Sequence, residues 1–185
     1  MSEAKKNKPL DVNKLMAWPF PDQRRSYNAT DAARFAKGFG AGLAGEMQAS
    51  DARFIADDTE TALPFIAVPL ADGEFWQADP ESGIVWQKMI HAGEAITVHK
   101  PMPVTADFTL RQGIEKIYDR GAERGATMVQ RLDFYGDDSA NGANIGELYV
   151  SLEVVTILRA NGGFDGEPDT RPNTKWVPQD RPADN

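Results

Sequence analysis

Two histidines, His91 and His99, are the only side chains here whose ordinary pKa lies near neutrality. A proton-transfer mechanism built on imidazole must use one of them or take one from another chain. They stand eight residues apart with the same strand parity, but Gly93 and a bend expected there weaken any common face. A metal site needs more ligands than this pair offers, so no metal is expected. The carboxylates Glu94, Asp107, Asp133 and Glu153 fall on or beside expected strands, where solvated or ion-paired surface roles are the default. No spacing marks any two of them as a catalytic pair. The chain has no cysteine, which excludes disulfides and thiolate chemistry. Gly38, Gly40 and Gly42 do not form a phosphate loop, because they end a helix rather than open one and the helix dipole then points the wrong way for an anion.

The elements that must position these groups follow from periodicity. Ala32, Phe35, Ala36, Phe39 and Leu43 recur at helical spacing, behind a cap at Asn28 or Thr30 and an acidic first turn at Asp31. Gly38, Gly40, Gly42 and Gly45 then mark either a close backbone contact or an early stop. Downstream, residues 53–55 and 65–68 are short candidate strands, and residues 76–86 a loop. Residues 94–99 alternate, with Ile96 and Val98 facing one way and Thr97 and His99 the other. Period-two alternation over residues 104–111 marks a strand with one buried face, and residues 114–118 continue its apolar pattern. A turn over 121–125, a strand over 126–135, a polar loop over 136–146 and the longest strand over 147–158 complete the series. Phe54, Ile66, Ile96, Val98, Phe108, Leu132, Leu148, Val150 and Leu152 are the expected core. One main helix on long antiparallel strands is the α+β arrangement.

Hydrophobic residues make up 41% and charged residues 26% of 185 residues, and the net charge is -8. One domain with a full core is expected. The negative balance argues against nucleic acid, which needs a basic surface. No apolar run approaches a membrane span, and Lys5, Lys6 and Lys8 precede no apolar stretch of a secretory signal. A cytoplasmic protein without a membrane or nucleic-acid partner is the expectation. Both ends read as tails: residues 1–17 are poor in apolar side chains, and residues 167–185 hold Pro168, Pro172, Pro178 and Pro182 among charges. The domain is placed at residues 18–166.

Several local patterns, in order, resemble the amino-terminal half of the double hot-dog, MaoC-like (R)-specific enoyl-CoA hydratases. The segment from Tyr27 to Gly42 looks like that half's opening helix with its glycine-rich end. Asp51-Ala52-Arg53-Phe54-Ile55 looks like the short strand after it, and Leu63-Pro64-Phe65 like the entry to the next strand. Met89-Ile90-His91-Ala92-Gly93-Glu94 is similar to the family's apolar-His-Gly-Glu segment. Lys100-Pro101-Met102-Pro103 is similar to its Pro-Leu-Pro turn. Gly162-Gly163-Phe164-Asp165-Gly166 resembles the Gly-Gly-Phe-Gly-Gly signature that closes the half.

The resemblance implies a hot-dog fold and the hydration of a trans-2-enoyl-CoA, or the reverse dehydration. A base activates water, an acid protonates the α-carbon, and a donor holds the thioester oxygen. The family carries the acid and base as Asp and His on an Asp-x-Asn-Pro-x-His loop in its other half. Residues 38–46 here read Gly-Phe-Gly-Ala-Gly-Leu-Ala-Gly-Glu, and the motif occurs nowhere in the sequence. The implied role is therefore a noncatalytic, acyl-binding subunit of a heteromeric hydratase or 3-hydroxyacyl-CoA dehydratase acting on fatty-acyl or steroid side-chain CoA thioesters. No catalytic residue and no cofactor is assigned to the chain, the CoA thioester being substrate. Phe35, Phe39, Leu43, Met89, His91 and Gly93 are the expected substrate-binding residues, with His91 lining a pocket rather than acting as base. The expected partner is a catalytic MaoC-like hot-dog subunit, or a second copy of the chain across an open sheet edge. The alternative is a stand-alone homodimeric acyl-CoA thioesterase or acyl-CoA binding protein, for which Glu46 is the candidate carboxylate.

Overall fold

The computed structural model describes residues 8–42, 51–55, 61–137 and 146–170. A five-stranded antiparallel sheet runs β1 (Gln23–Tyr27), β3 (Ala106–Asp119), β4 (Ala126–Gly136), β5 (Leu148–Leu158), β2 (Met89–Val98), in that spatial order. Alternation sorts its side chains. Phe108, Leu110, Leu132, Phe134, Val150 and Leu152 turn inward and are buried with Ile66 and Ala67. This is the hot-dog architecture, with helix α2 (Ala29–Gly38) packed on the sheet's inner cluster through Ala32 and Phe35, and with Ala36 also buried.

Asn28 is the cap of α2. Its side chain accepts from the Asp31 amide at 3.1 Å, while the Asp31 carboxylate accepts from the Asn28 amide at 3.2 Å, a reciprocal capping box. The glycine run stops the helix early: Phe39 closes it, and Gly40 and Gly42 have left-handed φ.

Several expectations are corrected. Residues 52–54 and 64–66 form single 3₁₀ turns, not strands, and Ala67–Leu70 continues the second as helix α3. Pro64 opens that turn because its fixed φ suits a helical first position. Residues 76–86, expected as a loop, hold no strand or α-helix and carry short 3₁₀ turns at 76–78, 80–82 and, at their end, 86–88. The longest strand is β3, not β5, because a bulge at Ile114/Lys116 lets pairing run on to Asp119. Val98 is 47% exposed rather than core, since β2 is an edge strand with a neighbour on one side only. Leu148 and Phe54 are half-buried. Residues 8–17, read as tail, hold helix α1 (Val12–Met16), whose Leu15 is fully buried. The polar segment Gln23–Tyr27, also outside the expected strands, pairs with β3 as the other edge.

Two buried clusters result. One lies under α2. The other joins Leu10, Leu15, Ile84, Ile114, Ile117, Met128 and Leu158 at the far end of the sheet, with Trp18, Trp76 and Phe164 against it. Tyr27 ties β1 to the first cluster through a hydroxyl that donates to the Pro103 carbonyl, in the Pro-Met-Pro turn. Burial and the neighbouring Tyr149 push its phenol well above the ordinary range. Tyr27→Phe leaves that carbonyl without its donor, and a loss of about 1–3 kcal/mol in denaturant unfolding is expected.

Candidate functional site

The inner parity of β3 and β4 is apolar except at its middle. Gln112 interrupts the series Phe108, Leu110, Ile114, and Gln130 interrupts Met128, Leu132, Phe134. Gln130 is only 4% exposed. A cavity of about 610 Å³ opens over these amides, between the two buried clusters. Leu132 and Val154 form its apolar wall on the sheet side, Val68 and Ala71 close it from α3, and the 72–77 segment passes across the opening. The Gln77 side-chain amide donates to Oε1 of Gln130 at 3.5 Å.

His91 and Glu94 enter the same cavity from β2. Residues three apart on a regular strand point to opposite faces. The bulge between His91 and Gly93 adds one residue to β2, so His91 opposite Thr156 and Glu94 opposite Val154 share the inner face. Their Nε2 and Oε2 atoms are 3.8 Å apart. The same bulge separates the two histidines. His99 lies beyond it and bonds Ser151 on the opposite face through Nε2 at 2.9 Å. Ser151 there donates to Asp133 at 2.5 Å, and Arg131 holds that carboxylate at 3.0 Å. The seryl oxygen sits between carboxylate and imidazole, so the imidazole is not relayed by the carboxylate as in a nucleophilic triad.

The expected substrate-binding residues do not converge on one place. His91 lines the cavity. Gly93 forms the adjacent bulge, where a Cβ would meet nothing within 4 Å. Met89 packs against the far cluster. Phe35 packs on the cluster under α2, and Phe39, 65% exposed, stacks on Phe65 with centroids 6.0 Å apart. Leu43 and Glu46 lie outside the described residues. Sequence reading missed Gln112, Gln130 and Gln77. The legible signal for the first two was a polar residue at inward parity in an apolar series. Among the described residues no three metal-ligating side chains cluster, and no helix is long and apolar enough to cross a membrane.

The closing signature is held by one carboxylate. Asp119, at the end of β3, accepts from the amides of Gly121 at 2.8 Å, Gly163 at 2.8 Å, Asp165 at 2.9 Å and Gly166 at 3.4 Å. Partial burial pushes its carboxyl up, but the four amide donors together outweigh that and hold it below the ordinary aspartate value. A depressed folded-state pKa contributes stability above the unfolded value that is lost as pH falls through the folded one. Asp119→Asn is therefore expected to lower the melting temperature at neutral pH and to flatten the acid limb of stability below about pH 4. An unchanged acid limb in pH-dependent melts would count against the anchor.

No family model matches the chain. It is 28% identical over 94 residues to the 3-hydroxyacyl-thioester dehydratase Y of Mycobacterium tuberculosis, covering 51% of this chain and 30% of that protein. It is 24% identical over 156 residues to the peroxisomal enoyl-CoA hydratase 2 of Arabidopsis thaliana, covering 81% and 48%. The chain thus spans about half, or less, of the curated relatives it matches. Among solved structures it superposes on a MaoC-like dehydratase from Phytophthora capsici with a TM-score of 0.67 at 19% identity, covering 94% of this chain and 57% of that one. It also superposes on a chain of the ChsH1-ChsH2 complex from Mycobacterium tuberculosis, with a TM-score of 0.55 at 14% identity, covering 86% and 96%.

Proposed function

We propose that this chain, whose fold is that of the MaoC-like hot-dog proteins, is the acyl-binding, noncatalytic subunit of a heteromeric (R)-specific enoyl-CoA hydratase or 3-hydroxyacyl-CoA dehydratase. Residues 18–166 are the binding unit, closed at one end by α1. The observation that carries the reading is chemical: residues 38–46, at and beyond the end of α2, contain neither Asp nor His, while a cavity persists on the inner face of the sheet. Hydration needs a base for water and an acid for the α-carbon, and both come from a partner hot-dog subunit. Likeness to about half of longer relatives supports this division, as does likeness to nearly the whole of one chain from a two-component complex. The outer edge of β2 offers ten residues for pairing with such a partner. The substrate is a fatty-acyl or steroid side-chain CoA thioester, and the chain needs no cofactor.

The test is to assay the purified chain on crotonyl-CoA, alone and after co-expression with a MaoC-like chain carrying the Asp-x-Asn-Pro-x-His loop. A stable mixed assembly with turnover, and none from this chain alone, is the expected result. Light scattering that finds only a monomer under both conditions would overturn the assembly.

A second reading has one observation in its favour. His91 and Glu94 share a cavity, and a stand-alone acyl-CoA thioesterase could aim Glu94 at a thioester carbonyl. Hydrolysis of a saturated acyl-CoA by the chain alone, lost in Glu94→Gln, would establish it. Without such hydrolysis, the homodimer reduces to an acyl-CoA binding protein.

A further inference from the structure

The cavity is not a hydrocarbon tunnel. Its floor is the buried side chain of Gln130, flanked by Gln112, and its sides are Leu132 and Val154. A buried amide without full hydrogen bonding costs free energy, so a glutamine at inward parity needs a partner for each of its polar atoms. Oε1 of the Gln130 side chain already accepts from Gln77 at 3.5 Å. Its amide nitrogen is left as a donor with no bond to another described side chain, and the group it lacks is an acceptor oxygen. Asp72, Glu74 and Glu94 are among the lining residues, and the nearby cation is Arg25, which donates to the Leu70 and Asp72 carbonyls at 2.7 and 3.1 Å. Three carboxylates against one guanidinium leave a negative field that repels anions. An occupant must bring an apolar body for the walls and an uncharged oxygen for the floor, with its own negative charges kept outside.

We propose that this cavity selects acyl groups bearing an uncharged oxygen function, a hydroxyl or ketone remote from the thioester, through the amide of Gln130, and rejects acyl groups ending in a carboxylate. The inference rests on the acyl-binding reading and names its substrate class. It also orients the ligand: the oxygenated end of the acyl group reaches the floor, and the thioester with its anionic CoA moiety stays outside the cavity.

Three N-acetylcysteamine thioesters test this on the full chain by isothermal titration calorimetry: decanoyl, ω-hydroxydecanoyl and ω-carboxydecanoyl. The uncharged carrier removes the CoA phosphates from the comparison. The hydroxyl-ended thioester should bind roughly 3–10-fold more tightly than the hydrocarbon-ended one, the gain expected of one hydrogen bond. The carboxylate-ended thioester should bind most weakly, and raising the salt concentration should narrow its deficit. Gln130→Leu should bring the hydroxyl-ended and hydrocarbon-ended constants together while both still bind. Equal binding of all three, or a hydroxyl preference that survives Gln130→Leu, overturns this selectivity and leaves acyl binding intact. Binding of none overturns the acyl-binding reading with it. Should Gln130→Leu fail to fold, the ranking on the unaltered chain decides.

Discussion

Gly162→Ala is expected to destabilise the fold by about 3 kcal/mol, lowering the melting temperature by roughly 6–12 °C for a domain of this size. A Cβ at this position would lie 2.3 Å from the carbonyl oxygens of both Gly121 and Gly125. Both contacts are backbone, so neither can swing aside. The hairpin between β3 and β4 is itself fixed there: Gly125 has φ +83°, and a Cβ on it would lie 2.1 Å from the Leu158 carbonyl. The residue before Gly162 makes the seam rigid from the other side. Asn161 is fully buried and donates to the Lys8 and Gly83 carbonyls at 2.9 and 3.1 Å while accepting from the Val85 amide at 2.9 Å. Moving residue 162 outward would pull on all three segments and on the Asp119 anchor. Gly113→Ala is the control. It sits in β3 with nothing within 4 Å of an added Cβ, and should leave stability unchanged or raise it by up to about 1 kcal/mol. Denaturant melts of the two variants check the contrast; equal effects would mean that the Gly-Gly signature is not held by close backbone approach.

That contrast shows what local pattern could and could not reveal. The inner strands β3, β4 and β5 were legible because burial on one face writes a period of two into the sequence. The signature at 162–166 was legible as a likeness, but its cause was not, because Asp119 and the hairpin glycines that receive it are some forty residues earlier. Asp165 illustrates the same point. It has φ +60° where the family pattern has glycine, a conformation that Asp tolerates better than most residues. Strand β1 was hidden because an edge strand need not be apolar; Gln23-Arg24-Arg25-Ser26 carries no apolar alternation to mark it. The two apolar runs at 53–55 and 65–68 were too short for periodicity to separate strand from helical turn.

The site was less legible still, and one bulge accounts for much of it. Simple parity puts His91 with His99 and apart from Glu94. The extra residue in β2 reverses both relations. Phe35 and Phe39 share a helix face as the spacing required, but the early stop of α2 leaves Phe39 against Phe65 rather than in the cavity. The cavity's polar floor was written in the strands as two glutamines at inward positions. Their meaning depended on the space above them, which the 72–77 segment and α3 create.

Turnover of crotonyl-CoA by the purified chain is expected at background, and co-assembly with a subunit bearing the Asp-x-Asn-Pro-x-His loop should restore it by several orders of magnitude. Each positioned acid or base contributes roughly 10²–10⁴-fold, and residues 38–46 hold no Asp or His to supply either role. The one imidazole–carboxylate pair in the cavity does not replace them. His91 and Glu94 are 3.8 Å apart, beyond hydrogen-bond reach, and the His91 side chain is more than half exposed. In the mixed assembly, His91→Ala should therefore raise KM for longer acyl chains with little change in kcat, the pattern of a group that only binds. The decisive contrary result is kinetic. Hydration by the chain alone, abolished in His91→Ala and reduced in Glu94→Gln with a pH profile set by an imidazole, would make His91 the base. The division of labour between two subunits would then fall.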